Sequence, residues 1–453
     1  MKASKTIDMC NGPLFSKLLL YALPLAATGV LQLLYNAADL VVVGKFTGDN
    51  ALAAVGSTSS LVNLIVNLFM GLSVGVTAVV ARHYGAGDET KIRESVHTAM
   101  TLSVISGIIV MIIGLTLCEP LLILMDTPDE VLPLSVLYLR IYFLGMPAMM
   151  IYNFGAGILR AVGNTKHPLI FLAVSGMINV ILNLVLVVGF GRGVDCVAIA
   201  TVVSQVVSAT LVVHFLTKNT GSIRLEPSRL GVHRIPCIDI MRIGIPAGIQ
   251  SSVFSVSNVL IQSSINGFGP VAMAGSTAAG NIEGFVYIVM NAFSQAALTF
   301  TGQNLGAKKP ERISKVLRQC SLLVFVSGAA MGLLCLLFQD TLLGIYTDDP
   351  QVIEMGAIRL QIIISTYFLC GIMEVISGVL RGMGYSTTPM ITSLIGACGF
   401  RILWIYTIFR LTPTLAMLYI SYPVSWVLTV AAHLICYAIV RPRLFRRLTK
   451  NTA

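Results

Sequence analysis

Apolar runs of about 20 residues, such as Val96–Cys118, Ile170–Phe190 and Cys320–Phe338, recur along the whole 453-residue chain. At about 1.5 Å per residue, each can cross a bilayer core of about 30 Å as a helix. Hydrophobic residues make up 56% of the chain and charged ones 11%, against roughly 25% charged in a soluble domain. A water-soluble fold of this composition would precipitate. The expectation is an all-α integral membrane protein with twelve transmembrane helices. The spans read as 14–44, 52–81, 94–118, 132–159, 168–190, 195–217, 238–266, 272–304, 319–339, 355–380, 388–409 and 414–440.

The formal charge of +10 is a topology signal rather than a sign of nucleic acid. Alternate connecting segments hold Lys2, Lys5 and Lys17; Arg82, Lys91 and Arg93; Arg160 and Lys166; Lys218 to Arg242; Lys308 to Arg318; Arg381; and the tail from Arg441 to Lys450, together 24 of the 30 basic residues. The opposite loops carry acids, among them Glu119, Asp126, Asp129, Glu130, Asp340, Asp348 and Asp349. The positive-inside rule then puts both termini in the cytoplasm of a multi-pass protein of a bacterial inner membrane. The polar start, Met1–Lys17, has no small-residue cleavage site and does not read as a cleaved signal peptide. Nine scattered cysteines without a CxxC pair support neither a disulfide framework nor a metal site.

The chain repeats itself. GILRAVGNTKHP (Gly157–Pro168) recurs as GVLRGMGYSTTP (Gly378–Pro389), and the same offset carries Gly85-Ala86 onto Gly306-Ala307. Pro24 maps nearly as well onto Pro246, and GSTSSL at Gly56 echoes GSTAAG at Gly275. A duplication follows, with residues 1–217 as an N-terminal six-helix lobe, 218–237 as a cytoplasmic linker, 238–442 as a C-terminal six-helix lobe and 443–453 as a basic tail. Six spans per half make the repeats parallel, related by a pseudo-two-fold along the membrane normal. Two bundles rocking about a cleft would give alternating access. The glycine-rich turns at Gly85, Gly87, Gly163, Gly306 and Gly384 read as helix ends, and none has the spacing of a nucleotide-binding loop. Pro24 and Pro246, repeated inside spans one and seven, are the hinge candidates among the in-span prolines, which also include Pro147 and Pro423.

The LRAxGxT-type elements after spans four and ten, GQNLGA after span eight, and NAADLVVVGKF with Asp39 late in span one resemble the multidrug and toxic compound extrusion (MATE) family over about residues 14–440. The likeness is closest to the bacterial branch with DinF-like and MepA-like exporters. It implies twelve helices in two lobes forming a V, and export of organic cations driven by inward Na⁺ or H⁺, with no cofactor.

Charges inside spans are functional candidates by default. Asp39 lies six residues before Lys45, about 9 Å inside the boundary at 1.5 Å per residue. Gln32, Asn36 and Asp39 form a stripe on span one, Asn179 and Asn183 share a face of span five, and Thr201, Gln205 and Ser208 form a stripe on span six. All reach a similar depth, which implies an oxygen-rich pocket in the N-terminal lobe. Such a pocket can replace the hydration shell of a monovalent cation, or let a desolvated Asp39 take up and release a proton. The resemblance places the family's N-lobe cation site on Asp39, Asn179, Asn183 and Thr201, beside Asn36. Some members carry an acid at the position of Asn183, so the neutral amide favours proton coupling or a weak Na⁺ site.

In the second half, Gln250, Asn258, Gln262 and Asn266 lie along span seven, Glu374 follows Cys370 by one turn on span ten, and Glu283 lies mid-span on helix eight. Arg401 sits at similar depth to Glu283, and the expectation is that these two pair. Tyr35, Met146, Met149, Met150, Tyr152, Asn153, Phe154, Tyr287, Met290 and Phe293 are cavity candidates, because methionine and aromatic rings adapt to apolar cations. Two rivals remain. A flippase for lipid-linked saccharides, from the related superfamily, would line its cavity with basic residues, whereas here mid-span acids prevail. A membrane enzyme would need clustered histidines or paired carboxylates at one face, and the six histidines are dispersed. The chain reads as a transporter, not an enzyme, acting as a monomer on small molecules within the lipid bilayer.

Overall fold

The structure is a computed structural model that describes residues 6–47, 49–125, 127–189 and 193–450. Lys2, Lys5 and Asp126 from the charge pattern lie outside them. The described residues hold helices and no strand, as expected for lipid, where a span must close its backbone hydrogen bonds within itself. In chain order the spans are α1 (Leu14–Phe46), α2 (Asp49–Ala86), α3 (Glu89–Leu124), α4 (Leu132–Leu144 with Met146–Ala161), α5 (Lys166–Gly189), α6 (Val194–Lys218), α7 (Arg234–Asn266), α8 (Pro270–Gly306), α9 (Pro310–Leu337), α10 (Pro350–Gly382), α11 (Thr387–Leu411) and α12 (Leu415–Lys450).

Ten of these are long and apolar enough to cross a membrane, and the two segments of α4, bent by 47°, make an eleventh. The bend falls at Gly145, next to Pro147, whose ring removes a backbone donor. The twelfth, α8, has 37 residues but carries Ser276, Glu283, Asn291, Gln295 and Asn304. It can be polar because most of its second half is buried within protein rather than facing lipid. Several helices run a turn beyond the apolar stretch that announces them, under polar caps. Asp88 caps α3 by accepting from Lys91 N at 3.1 Å, which holds its carboxyl below the usual range, and Asp349 caps α10 from Gln351 N at 2.9 Å.

The duplication is visible in the backbone. Gly163 and Gly384, equivalent positions of the two repeats, both end their helix with φ 89°. Gly87 (φ 69°) has Lys308 (φ 55°) as its equivalent, and Lys308 is the one non-glycine residue at positive φ among the described residues. Of the other turn glycines, Gly85 and Gly306 lie within the last turns of α2 and α8.

The described residues pack into two compact units. One joins the segment ending at Asp8 to Ala27–Ser252, the other joins Met9–Ala26 to the chain from Val253 onward. Each unit thus contains the start of the other half's first helix, and the stretch 218–237 lies wholly in the first unit. The cause is close packing and hydrogen bonding. A Cβ on Gly71 would fall on the backbone of Gly248, so α2 and the start of α7 touch main chain to main chain. Arg82 pairs with Asp239, His97 Nε2 accepts from Glu226 N at 3.1 Å, and Thr98 Oγ1 accepts from His233 N at 3.0 Å. In the second unit, Asn304 Nδ2 donates to Met9 O at 3.1 Å, Lys309 Nζ to Cys10 O at 3.0 Å, and Tyr21 Oη to Thr299 Oγ1 at 2.9 Å.

One expected contact is corrected. Glu283 does not pair with Arg401. Its carboxylate accepts from Arg359 Nε at 2.7 Å and Nη2 at 2.8 Å, while Arg359 Nη1 donates to Ser276 Oγ at 2.7 Å. The α8–α10 contact brings Arg359, on a neighbouring helix, to the layer where depth alone had suggested Arg401. The pair is bidentate and largely buried, so removing one partner strands a charge.

Two outcomes are expected in thermal unfolding of the detergent-solubilised protein. Arg359→Met should cost about 3–5 kcal/mol, and adding Glu283→Gln should recover much of it; a double variant no better than the single one would show that the pair is not what Arg359 contributes. Lys308→Gly should stabilise by about 1 kcal/mol by relieving the left-handed backbone, with Lys308→Ala giving no such gain.

Candidate functional site

Four of the five expected coupling residues meet in the first unit. Asn183 Nδ2 donates to Asp39 Oδ1 at 2.6 Å and to Asn179 Oδ1 at 3.2 Å. Asn179 Nδ2 in turn donates to Thr201 Oγ1 at 3.4 Å, and the Thr201 hydroxyl donates back to Val197 O at 3.0 Å. Helical spacing makes this possible. Asn179 and Asn183 are four residues apart and stack on one face of α5, which bridges Asp39 on α1 to Thr201 on α6. Asn179 and Asn183 are buried, and Asp39 and Thr201 are partly buried. Immediately after Asn183, α5 turns into a π-helical stretch, Leu184–Gly189, a widening of the helix that recurs at functional sites.

Two features give the cluster its chemistry. No cationic side chain pairs with Asp39 among the described residues, so a single amide N–H is the donor its carboxylate has. Asn183 Oδ1 is buried without a hydrogen-bond partner. A negative charge held on one neutral donor, next to an unused acceptor oxygen, suits a group that is neutralised in turn by a proton or a small cation.

Around this core the structure distributes the remaining candidates. Asn36 and Gln32 are exposed on α1, on the face that leads to Asp39. Tyr35 donates to Ala173 O at 3.3 Å, and its ring lies against Gly176, where a Cβ would collide with it. Gln205 is turned toward Gly145 at the bend of α4, with Oε1 buried and unpartnered. Tyr138 and Tyr142 of α4, stacked at 5.9 Å between ring centroids, lie within electrostatic range of Asp39. Sequence reasoning missed them, although their spacing of four residues on one helix face was a readable signal.

Met146, Met150 and Met290 face no open cavity in this structure. Met146 and Met150 are completely buried and Met290 is packed against Gly328 and Gly371, so all three fill lobe interiors. Asn153 is tied to its own helix through Met149 O at 2.8 Å. Gln250 is buried within the first unit. In the second unit, Tyr287 is 37% exposed and lies 3.5 Å from Asn291 Nδ2. Glu374 lies within electrostatic range of Tyr287 and Arg381, and its main-chain oxygen accepts from Ser294 Oγ at 2.8 Å. Glu283 is committed to Arg359.

The MatE family model matches this chain twice, over residues 24–185 and 246–407, two stretches of equal length with one on each half. Among curated relatives, a "Probable multidrug resistance protein YoeA" of Bacillus subtilis is 27% identical over 387 residues, 84% of each chain. The "Multidrug export protein MepA" of Staphylococcus aureus is 22% identical over 450 residues, 98% of each. A solved structure described as the outward-facing conformation of a multidrug resistance MATE family transporter superposes with a TM-score of 0.89 at 22% identity, over 99% of this chain and 100% of that one, and bears on the fold. With two matches in register on the duplicated halves, covering well over half its length, the chain belongs to the MATE family of multi-pass membrane transporters.

Proposed function

We propose that this transporter is a secondary active antiporter that exports amphiphilic small molecules, organic cations among them, from a bacterial cell. An inward flow of H⁺ or Na⁺ through the Asp39 site drives it by alternating access. The observation that carries the reading is the Asp39 carboxylate resting on the Asn183 amide with no cationic side chain paired to it among the described residues. While Asp39 is ionised, Asn183 Nδ2 donates to it. Once Asp39 is protonated, the same amide turned over presents Oδ1 to the carboxylic O–H, so one side chain serves both states. Na⁺ would instead draw on Asp39 and the oxygens of Asn179, Asn183 and Thr201, hard ligands for a hard cation. A neutral Asn183 supplies one charge fewer than an acid there, which favours the proton.

Pro24 and Pro246 are the hinges in this reading. α1 changes unit between Ala26 and Ala27, and α7 between Ser252 and Val253, each within two turns of its internal proline. A missing backbone hydrogen bond beside a change of unit is where a helix bends at least cost. The protein lies in the cytoplasmic membrane with both termini inside, on the charge alternation of its connecting segments, and acts as a monomer.

Purified protein in liposomes should export a cationic dye when an inward H⁺ or Na⁺ gradient is imposed, and Asp39→Asn should fall to the leak of protein-free liposomes. Equal export by the variant under both gradients would remove Asp39 from the coupling step, and translocation of a saccharide lipid without any ion gradient would support the flippase instead. Asn183→Asp, which restores a second carboxylate, should shift the dependence of efflux toward Na⁺; an unchanged ion preference would show that charge at this position does not select the ion.

A further inference from the structure

A guanidinium buried among membrane helices is costly unless it is compensated. Among the described residues of the second unit, two partly buried arginines have acids near them. Arg359 holds Glu283, and Arg381 lies within electrostatic range of Glu374. Arg401 is different. It is 3% exposed on α11, just past the π-helical stretch Leu394–Gly399, and no carboxylate lies within ion-pair distance of it among the described residues.

Its surroundings leave one part of the group free. Nε donates to Ser425 Oγ at 2.9 Å. The guanidinium lies over the Tyr422 ring, with Cζ 4.1 Å from the ring centroid, and the Trp426 centroid is 5.7 Å from Cζ. Among the described residues no acceptor is hydrogen-bonded to Nη1 or Nη2, the pair whose fork matches a carboxylate or phosphate. Beside the fork, Tyr422 and Trp426 have centroids 5.8 Å apart, and Tyr367 of α10 extends the aromatic surface at 5.5 Å from Trp426. Trp426 is buried in the core, while Tyr367 and Tyr422 are partly exposed and carry the accessible part of this aromatic surface.

We propose that Arg401 is the anchor for an anionic group, such as a carboxylate, on an aromatic cargo whose ring lies against Tyr367 and Tyr422. This extends the export reading, on which the word cargo rests. It widens the substrate class from organic cations to zwitterionic and acidic aromatic molecules.

The test uses the free-acid and methyl-ester forms of one rhodamine dye, which share a cationic ring system and differ in one carboxylate. Binding to the purified full-length protein is followed by fluorescence anisotropy. Wild type should bind the free acid about ten- to hundredfold more tightly than the ester, the scale of a charge-assisted hydrogen bond. Arg401→Gln should bring the acid down to the ester and leave the ester unchanged. Ser425→Asp, which delivers a carboxylate beside a retained Arg401, should also erase the preference, and it decides the matter if Arg401→Gln does not fold. Equal binding of the two forms by wild type, or a preference for the acid that survives in the folded variants, would overturn the proposal. Efflux separates the two readings. Gradient-driven export of the ester with no preference for the acid in binding removes the anion anchor alone. An acid preference in binding with no gradient-driven export of either dye removes the export reading and leaves the anchor standing.

Discussion

Hydrocarbon offers no partner to a polar group, and the structure is shaped by that constraint. The backbone meets it by running as helix through the spans, with caps such as Asp88 and Asp349 at the ends. Charged side chains meet it in three ways. Glu283 and Arg359 neutralise each other, which ties α8 to α10 and leaves little charge to move. Asp39 rests on amide dipoles without a cation. Arg401 rests over an aromatic ring and on a hydroxyl, with no carboxylate paired to it among the described residues. The first arrangement is complete as it stands, while the other two leave a charge without an ionic partner among the described residues.

Duplication supplied the frame for both open charges without copying either. The halves share turns, down to equal φ at Gly163 and Gly384. Yet in the register of the repeat Asp39 falls on Leu260 or Ile261, and Ile261 is buried in an apolar cluster with Cys370, Tyr419 and Trp426. Backbone geometry tolerates this divergence because helix packing depends on small residues at close approaches, such as Gly71 and Gly248, and not on what each interior carries. The exchange of helix starts between units has a related consequence. α1 and α7 each belong to both units, and each carries its internal proline, Pro24 or Pro246, within two turns of the residue where the unit changes.

Much of the N-terminal site is legible in the order of residues, for a specific reason. Depth in a membrane is a one-dimensional quantity that residue counting measures, and helical periodicity reports which residues share a face. Asp39, Asn179, Asn183 and Thr201 agree in both, and they meet. The same reasoning failed for Glu283, since two arginines share its layer and depth does not say which helix is the neighbour. It failed for Met146, Met150 and Met290 as well, because chemical suitability for a cavity does not distinguish a wall from a core.

By itself, the sequence determined the all-helical membrane fold, the duplicated halves and the set of polar groups at one level, since apolar run length, offset and spacing are all properties of the chain taken in order. Tertiary structure alone decided which helices are neighbours, how each is rotated about its axis and where the units divide. Among the described residues, those choices made Arg359 the partner of Glu283, set Arg401 over Tyr422 with no acceptor on its Nη donors, and gave Asp39 a single amide donor. They come from side-chain packing between segments far apart in the chain, and no local pattern carries that information.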